Sequence, residues 1–356
     1  MRKFFALLPL TLCVVYAQAK IITVNNNPNS AGMYTSIQSA HDAASVGDTL
    51  LIQASPSSYG TLSLIKRLVL IGEGHTNVRG TGYSSQLDNL YIDSSLTAPP
   101  PVVSGTRVIG LYINSSINCH NTSGPFANNV IIERCRVESY VYMYGNNWNF
   151  RNCVLSNPRI YGGSKGAIFS NNIIGYIYSD NQNTPRNIII QNNLFLSNYY
   201  QFLQYLNTGT LLNNIFYSGP NSGTAITINY TTTNLVFTSN MNSEASTTIT
   251  LPGAGNSGTN NLNNTLPGFV ETISTNFNGY GYWNSYSWKL ASTSLGHNYG
   301  TDGKDIGIYG GLYPWTDAMF SGNPGLPYIV SLDVQNAVVK PGDKVKFNVK
   351  AKSFGY

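Results

Sequence analysis

The chain has 356 residues, 42% of them hydrophobic, 12% aromatic and only 10% charged, with a formal net charge of +5. An ordinary soluble domain carries about a quarter charged residues, so polarity here comes from elsewhere, and 44 asparagines supply much of it. Ample Ile, Leu, Val and Tyr exclude ordinary disorder, which needs high net charge and little to bury, and no extended basic stripe exists for nucleic acid.

Arg2 and Lys3 precede an apolar run from Phe4 to Tyr16, which Ala17-Gln18-Ala19 follows. That order is the charged region, apolar region and small-residue cleavage site of a secretory signal peptide, so a secreted protein is expected. Neither this run nor any later segment reaches the roughly 18 apolar residues of a membrane-spanning helix. Cleavage after Ala19 leaves Cys119, Cys135 and Cys153. Their number is odd and no C-x-x-C occurs, so neither a disulfide framework nor a zinc site is indicated.

From Tyr34 to Asp48 the chain reads YTSIQSAHDAASVGD. Ser36 is placed to cap a short helix with Ile37, Ala40 and Ala44 on its apolar face, and Gly47 ends it before a strand at Thr49 to Gln53.

The main signal is an internal repeat. A six-residue template, apolar-x-turn-small-x-apolar, fits Ile132-x-Arg134-Cys135-x-Val137 and Phe150-x-Asn152-Cys153-x-Leu155. It recurs at Phe169-x-Asn171-Asn172-x-Ile174, Ile190-x-Asn192-Asn193-x-Phe195 and Leu211-x-Asn213-Asn214-x-Phe216. A looser copy precedes (Val108, Gly110, Leu111, Ile113) and a degraded one follows at Phe237-x-Ser239-Asn240. The fourth position advances by 18 to 26 residues per copy. Such a chain coils back to the same place once per repeat. Its coils stack at about 4.8 Å, the strand spacing, and Asn or Gly takes the left-handed conformation at each bend. Cys135, Cys153, Asn172, Asn193, Asn214 and Asn240 then form one column inside the bend, an asparagine ladder whose amides satisfy the buried turn backbone. Cys135 and Cys153, one coil apart at the same phase, read as stacked buried thiols, with a disulfide left open in a secreted chain because distance and orientation decide it.

Toward the C-terminus, Tyr280, Tyr282, Trp283, Tyr286 and Trp288 read as a cover over the final coils. Tyr328 to Val334 and Lys344 to Ala351 alternate like two strands of a hairpin around Pro341-Gly342-Asp343. The expected fold is all-β: a right-handed parallel β-helix with a short N-terminal capping helix and a C-terminal β-hairpin. The expected divisions are a signal peptide at 1–19, the capped β-helix at 20–315, and a linker with hairpin at 316–356.

The capping helix, the GDTLLI strand (Gly47 to Ile52), Ser58-Tyr59-Gly60 and the IKRLVLIGEG run (Ile65 to Gly74) resemble the opening of secreted right-handed parallel β-helix proteins of the pectin-lyase-like superfamily. DGKDIGIYGG (Asp302 to Gly311) resembles the closing motif of bacterial secreted β-helix proteins. The resemblance covers roughly residues 20 to 315 and concerns the fold. It implies a polysaccharide or cell-surface glycan as partner. The superfamily's enzymes bring acidic clusters that this chain lacks: only Glu244 and Glu271 are acidic between Asn187 and Trp288. Paired Asp with Gly-His-Gly, the esterase Asp-Phe-Ile-Phe-Gly and the epimerase Asp-Pro-His-Asp are all missing. No cofactor is indicated. Asp302 and Asp305 form a lone D-x-x-D that leaves calcium open beside ordinary turn chemistry.

One constellation stands out. With Val141, Met143, Ile160 and Ile177 inward, alternation turns Tyr140, Tyr142, Tyr144, Arg159, Tyr161, Tyr176 and Tyr178 outward. Lys165, Asp180 and Arg186 flank them, and Tyr199, Tyr200 and Phe202 follow at an unsettled phase. Tyrosine suits a sugar surface, offering an apolar ring and a hydroxyl, but it also favours strands and cross-strand ladders for stability alone. The expected function is non-catalytic polysaccharide binding or surface display through this face. The alternative is a polysaccharide lyase or glycoside hydrolase acting on an acidic polysaccharide. A lyase would use Arg159 or Lys165 as carboxylate clamp and Tyr161 or Tyr178 for proton transfer. A hydrolase has only Asp180 on this face, where a carboxylate pair is normally required.

Overall fold

The computed structural model describes residues 19–28, 32–75, 83–92, 103–119, 126–197, 201–219, 232–243, 250–274, 279–316, 319, 328–334 and 347–352. The signal-peptide expectation lies almost wholly outside them, as do Tyr199, Tyr200 and the turn expected at 341–343. Among the described residues, no helix is long and apolar enough to cross a membrane.

The chain folds as a right-handed parallel β-helix. Sheet A is one parallel ladder of 11 strands, from Ile21–Val24 through Arg107–Ile109, Ile131–Glu133, Asn149–Arg151 and Ile168–Ser170 to Ser257–Thr259. The second sheet, of 13 strands, bends into two faces because Arg136–Met143 and Val154–Ile160 run across both. Sheet B holds the start of these two strands together with Gln86–Leu87, Tyr112–Ile113, Ile173–Ile174, Leu194–Leu196, Ile215–Tyr217 and Met241–Asn242. Sheet C holds their ends with Leu62–Leu64, Leu90–Ile92, Ile117–Asn118, Ile177–Ser179 and Leu203–Gln204.

At the bend from A to B, the third template position is left-handed in every copy, with φ of 52° at Arg134, 51° at Asn152, 54° at Asn171 and Asn192, 56° at Asn213 and 53° at Ser239. The fourth position points inward and builds the expected ladder. The backbone N–H of Cys153 donates to Asn172 Oδ1 (2.8 Å), that of Asn172 to Asn193 (2.8 Å), of Asn193 to Asn214 (2.9 Å) and of Asn214 to Asn240 (3.0 Å). Asn261, outside the template, continues it, taking the N–H of Asn240 at 3.0 Å. Cys119, Cys135 and Cys153 are buried free thiols. Phenylalanines stack between coils in the core, Phe150 on Phe169 at 4.8 Å and Phe195 on Phe216 at 4.7 Å.

The helix Ile37–Ala43 is capped by Ser36, whose side chain accepts from the Ser39 N–H, and Ile37, Ala40 and Ala44 are buried. It packs on the first strands of the solenoid, which would otherwise expose the end of the core.

The aromatic cluster near the C-terminus does more than cover the final coils. Residues 265–274 and 279–316 run back along the outside of sheet B as a strap. The outer column of sheet B, Val154, Ile173, Leu194, Ile215 and Met241, is therefore fully buried beneath Trp283, Trp288, Ile306, Ile308 and Trp315. The strap's tip lies over the middle coils: Trp283 sits 5.6 Å from His75, and its ring lies under the Arg136 guanidinium at 5.1 Å. The left-handed asparagines hold the strap. Asn152 Nδ2 donates to the Tyr313 carbonyl (2.7 Å), and Asn171 Nδ2 to the carbonyls of Ile308 (3.0 Å) and Gly310 (2.7 Å). The pairs Asn171-Asn172 and Asn213-Asn214 are thus divided, one amide outward to the strap and the next inward to the ladder. Gly307, at φ 77°, is pressed against sheet B so closely that a Cβ would come 2.7 Å from Ile215 Cδ1.

Asp302 and Asp305 serve the strap's turns. Asp302 accepts the Lys304 N–H at 3.3 Å, while Asp305 accepts the Asn298 N–H at 3.0 Å and meets His297 at 2.7 Å. Beyond the strap, Tyr328–Val334 and Phe347–Lys352 pair as an antiparallel ribbon.

Candidate functional site

Sheet C carries the tyrosines. Its outward positions stack in register as Ser63, Tyr91, Asn118, Tyr142, Arg159, Tyr178 and Gln204, one residue per coil. Val141, Met143, Ile160 and Ile177 point inward and are buried, as the alternation requires. Phe202, whose phase the sequence left open, is also a core residue, 2% exposed.

Arg159 sits at the centre of this face. Its guanidinium lies 4.3 Å from the ring centroid of Tyr140 and 5.1 Å from that of Tyr178, on opposite coils, and Nη1 donates to the Tyr161 hydroxyl at 3.4 Å. Desolvation opposes its charge, but the hydroxyls of Tyr161 and Tyr176 outweigh that effect and its pKa is raised. Such cation–π contacts fix a planar guanidinium without neutralising it.

The rings form a continuous row along the solenoid axis. Phe126 is 6.1 Å from Tyr144, Tyr144 is 5.3 Å from Tyr161, Tyr161 is 6.2 Å from Tyr178, and Tyr178 is 5.6 Å from Tyr205. Tyr142 joins it 5.8 Å from Tyr161 and 5.4 Å from Tyr140. A sugar platform would lay each apolar ring flat on the sheet. Instead Tyr144 and Tyr161 face each other at 17°, so this pair turns edges and hydroxyls outward, while Tyr142 and Tyr178 tilt by 43° against Tyr161. Burial raises the pKa of Tyr142, Tyr144 and Tyr178, which keeps these phenols protonated and able to donate at neutral pH. Tyr176 is occupied differently, its hydroxyl accepting from the buried Asn157 amide.

The flanking ions are not gathered into the row. Asp180 pairs with the fully buried Arg186 and also accepts the Gly162 N–H at 3.0 Å, and Arg186 is held further by Ser179 Oγ at 2.9 Å. Lys165 is exposed in the bend from C to A, where its backbone N–H donates to Asn146 Oδ1 at 2.9 Å. Among the described residues no group of three or more His, Cys, Asp or Glu side chains is placed to hold a metal ion.

Phe126 and Tyr205 were missed by the sequence reading. Phe126 precedes its coil in a turn with no repeat phase. Tyr205 has a left-handed backbone at φ 57°, which strand alternation cannot anticipate for a bulky side chain.

Fold and face together define a parallel β-solenoid with one sheet strapped, one aromatic and one open. No family model matches the chain, and no curated protein matches it in sequence.

Proposed function

We propose that this is a secreted β-helix protein of the pectin-lyase-like kind that binds or displays against polysaccharide along sheet C, without catalysis. One observation carries the reading. The face is a row of phenols around a caged guanidinium, and the acid that flanks it, Asp180, is already paired with Arg186. Acid–base cleavage of a glycoside needs carboxylates with room to act. Hydroxyl-rich chains are instead served by an array of phenol donors and acceptors with partly exposed rings. Affinity electrophoresis of the purified protein through gels containing neutral and uronate polysaccharides tests this. Retardation is expected, and it should fall in Tyr142→Ala/Tyr178→Ala, two partly exposed positions outside the core. Unchanged retardation in that variant excludes the tyrosine face.

A second reading, a polysaccharide lyase, draws support from the contact between Arg159 and Tyr161, which would pair a carboxylate clamp with a proton-transfer group. Ultraviolet absorbance from unsaturated uronate products, abolished by Tyr161→Phe, would establish it and displace the binding reading.

A further inference from the structure

Two rings of the tyrosine row occupy equivalent places in adjacent coils. Met143 and Ile160 are register partners, and the Tyr161 N–H donates to the Met143 carbonyl at 3.0 Å, so Tyr144 and Tyr161 follow as the next pair of the same parallel ladder. Parallel neighbours send their side chains out in one direction, which sets ring beside ring and hydroxyl beside hydroxyl. The ring centroids are 5.3 Å apart at an interplanar angle of 17°. That is close to the strand spacing of about 4.8 Å. At such a separation and tilt, facing ring edges lie about 3.5–4 Å apart, in van der Waals contact.

Gly162 makes the room for this pair. Its φ is 58°, and a Cβ there would come 3.0 Å from Tyr144 Cδ1 and 3.5 Å from Tyr144 Cε1. Any larger residue after Tyr161 would therefore displace the Tyr144 ring.

Other tyrosine pairs on the face are less suited to reaction with each other. Tyr140 and Tyr142, 5.4 Å apart, are inclined at 46°, and Tyr161 and Tyr178, 6.2 Å apart, at 43°. The Arg159 guanidinium also covers the rings of Tyr140 and Tyr178, and a cation on the π face opposes removal of an electron from it. Among the described residues no guanidinium lies over the ring of Tyr144 or Tyr161; Arg159 meets Tyr161 only at its hydroxyl, at 3.4 Å. Both rings are partly exposed, so a dissolved oxidant reaches them.

We propose that Tyr144 and Tyr161 form an oxidative cross-linking site, at which a bond between their Cε carbons staples two adjacent coils as a dityrosine. The oxidant is a peroxide acting through a peroxidase-type one-electron acceptor. Each phenol gives up one electron and releases its hydroxyl proton to water. The two phenoxyl radicals couple between the ring carbons ortho to oxygen, and the hydrogen on each coupled carbon moves to its oxygen, restoring both phenols. The protein loses two hydrogen atoms in all, and one peroxide becomes two waters. The reaction needs only the placement of the two rings, so it stands apart from polysaccharide binding.

The test treats the dilute, purified protein with hydrogen peroxide and a haem peroxidase and recovers the monomer by gel filtration. Dityrosine fluorescence and peptide mapping by mass spectrometry are the readouts. The expected product is lighter by two hydrogens and joins the peptide of Tyr144 to that of Tyr161 within one chain. It should be lost in Tyr144→Phe and in Tyr161→Phe, which keep the stacked rings and remove one phenol each. Tyr313→Phe, which removes a partly exposed phenol from the strap, should leave the yield unchanged. Thermal midpoints check the fold of every variant. Absence of the cross-link, its persistence in either Phe variant at the pair, mapping to Tyr140 and Tyr142, or formation only between chains overturns the proposal. Retardation by polysaccharide is a separate measurement, so the failure of either reading is seen independently of the other.

Discussion

Asn172 gives both its backbone N–H and its side-chain Nδ2 to a single atom, the carboxamide oxygen of Asn193, at 2.8 and 3.0 Å. Asn193 Nδ2 in turn reaches Asn214 Oδ1 at 3.0 Å and the Phe169 carbonyl at 2.9 Å, so each amide closes the turn of one coil and opens the next. All three asparagines are buried. Replacing Asn193 by Ala strands two donors of Asn172 without access to water, and each unsatisfied buried group costs about 1–3 kcal/mol. Asn193→Ala is therefore expected to lower unfolding stability by about 3 kcal/mol or more. Asn261→Ala, at the partly exposed end of the ladder, should cost less. Urea midpoints at unchanged slope are the measurement, and equal losses at the two positions would contradict a buried ladder.

The ladder was legible in the sequence because its chemistry repeats: Asn recurs at one phase in the successive copies at Asn172, Asn193, Asn214 and Asn240, and stacking explains that. The tyrosine face was legible for the same reason, since strand alternation assigns a side. It does not assign an angle, and the stacking of Tyr144 on Tyr161 was out of reach. The strap was missed although its signal lay inside the template. From the Phe150 copy onward the fifth position, written as any residue, is Val154, Ile173, Leu194, Ile215 and Met241, apolar each time, where the preceding copy has Arg136. A strand apolar at both of two successive positions has both faces covered, which predicts a layer over sheet B.

That layer depends on a few large side chains. Trp288 is 1% exposed, donates through Nε1 to the Trp283 carbonyl at 2.6 Å, and packs edge-on against Phe269 at 5.2 Å. Trp288→Ala should cost about 3–5 kcal/mol, the range for removing a buried aromatic. Because the strap belongs to a second apolar cluster outside the solenoid core, the loss should appear first as local release. Limited proteolysis is expected to cut between residues 265 and 316 while the far-ultraviolet spectrum of the β-helix persists. Simultaneous loss of both would mean that the strap and the coils form one cooperative unit.

The three thiols should be chemically silent in the folded protein. Burial pushes the Cys135 thiol up to about 12 and raises Cys153 well above its ordinary value, so almost no thiolate exists to react. A thiol-reactive chromophore is expected to label none of Cys119, Cys135 and Cys153 in native buffer and all three in denaturant. Fewer than three under denaturing, non-reducing conditions would instead reveal a disulfide.

Acid should act at the tip of the strap. Burial, aided by the positive charge of Arg136, lowers the pKa of His75 from 6.5 to about 3, and His75 shares the Trp283 indole with Arg136. The folded state therefore binds fewer protons than the unfolded chain between these two values. Stability contributed by neutral His75 is complete above pH 6.5 and declines as the pH falls toward 3. The acids act in a lower window. Asp42, through His41 and Gln38, and Asp48, through the Lys20 N–H, both have pKa values lowered from 3.8, so their contribution is present above that value and lost below it. Trp283 fluorescence and urea midpoints should thus shift progressively from pH 6.5 downward, before the carboxylates protonate. His75→Gln should remove the Trp283 fluorescence shift and lessen the slope of the urea midpoints below pH 6.5, leaving the share of buried His41, whose pKa burial also lowers from 6.5. If the Trp283 fluorescence shift survives in His75→Gln, the strap tip is not acid-sensitive through His75, the titrating group in contact with that indole among the described residues.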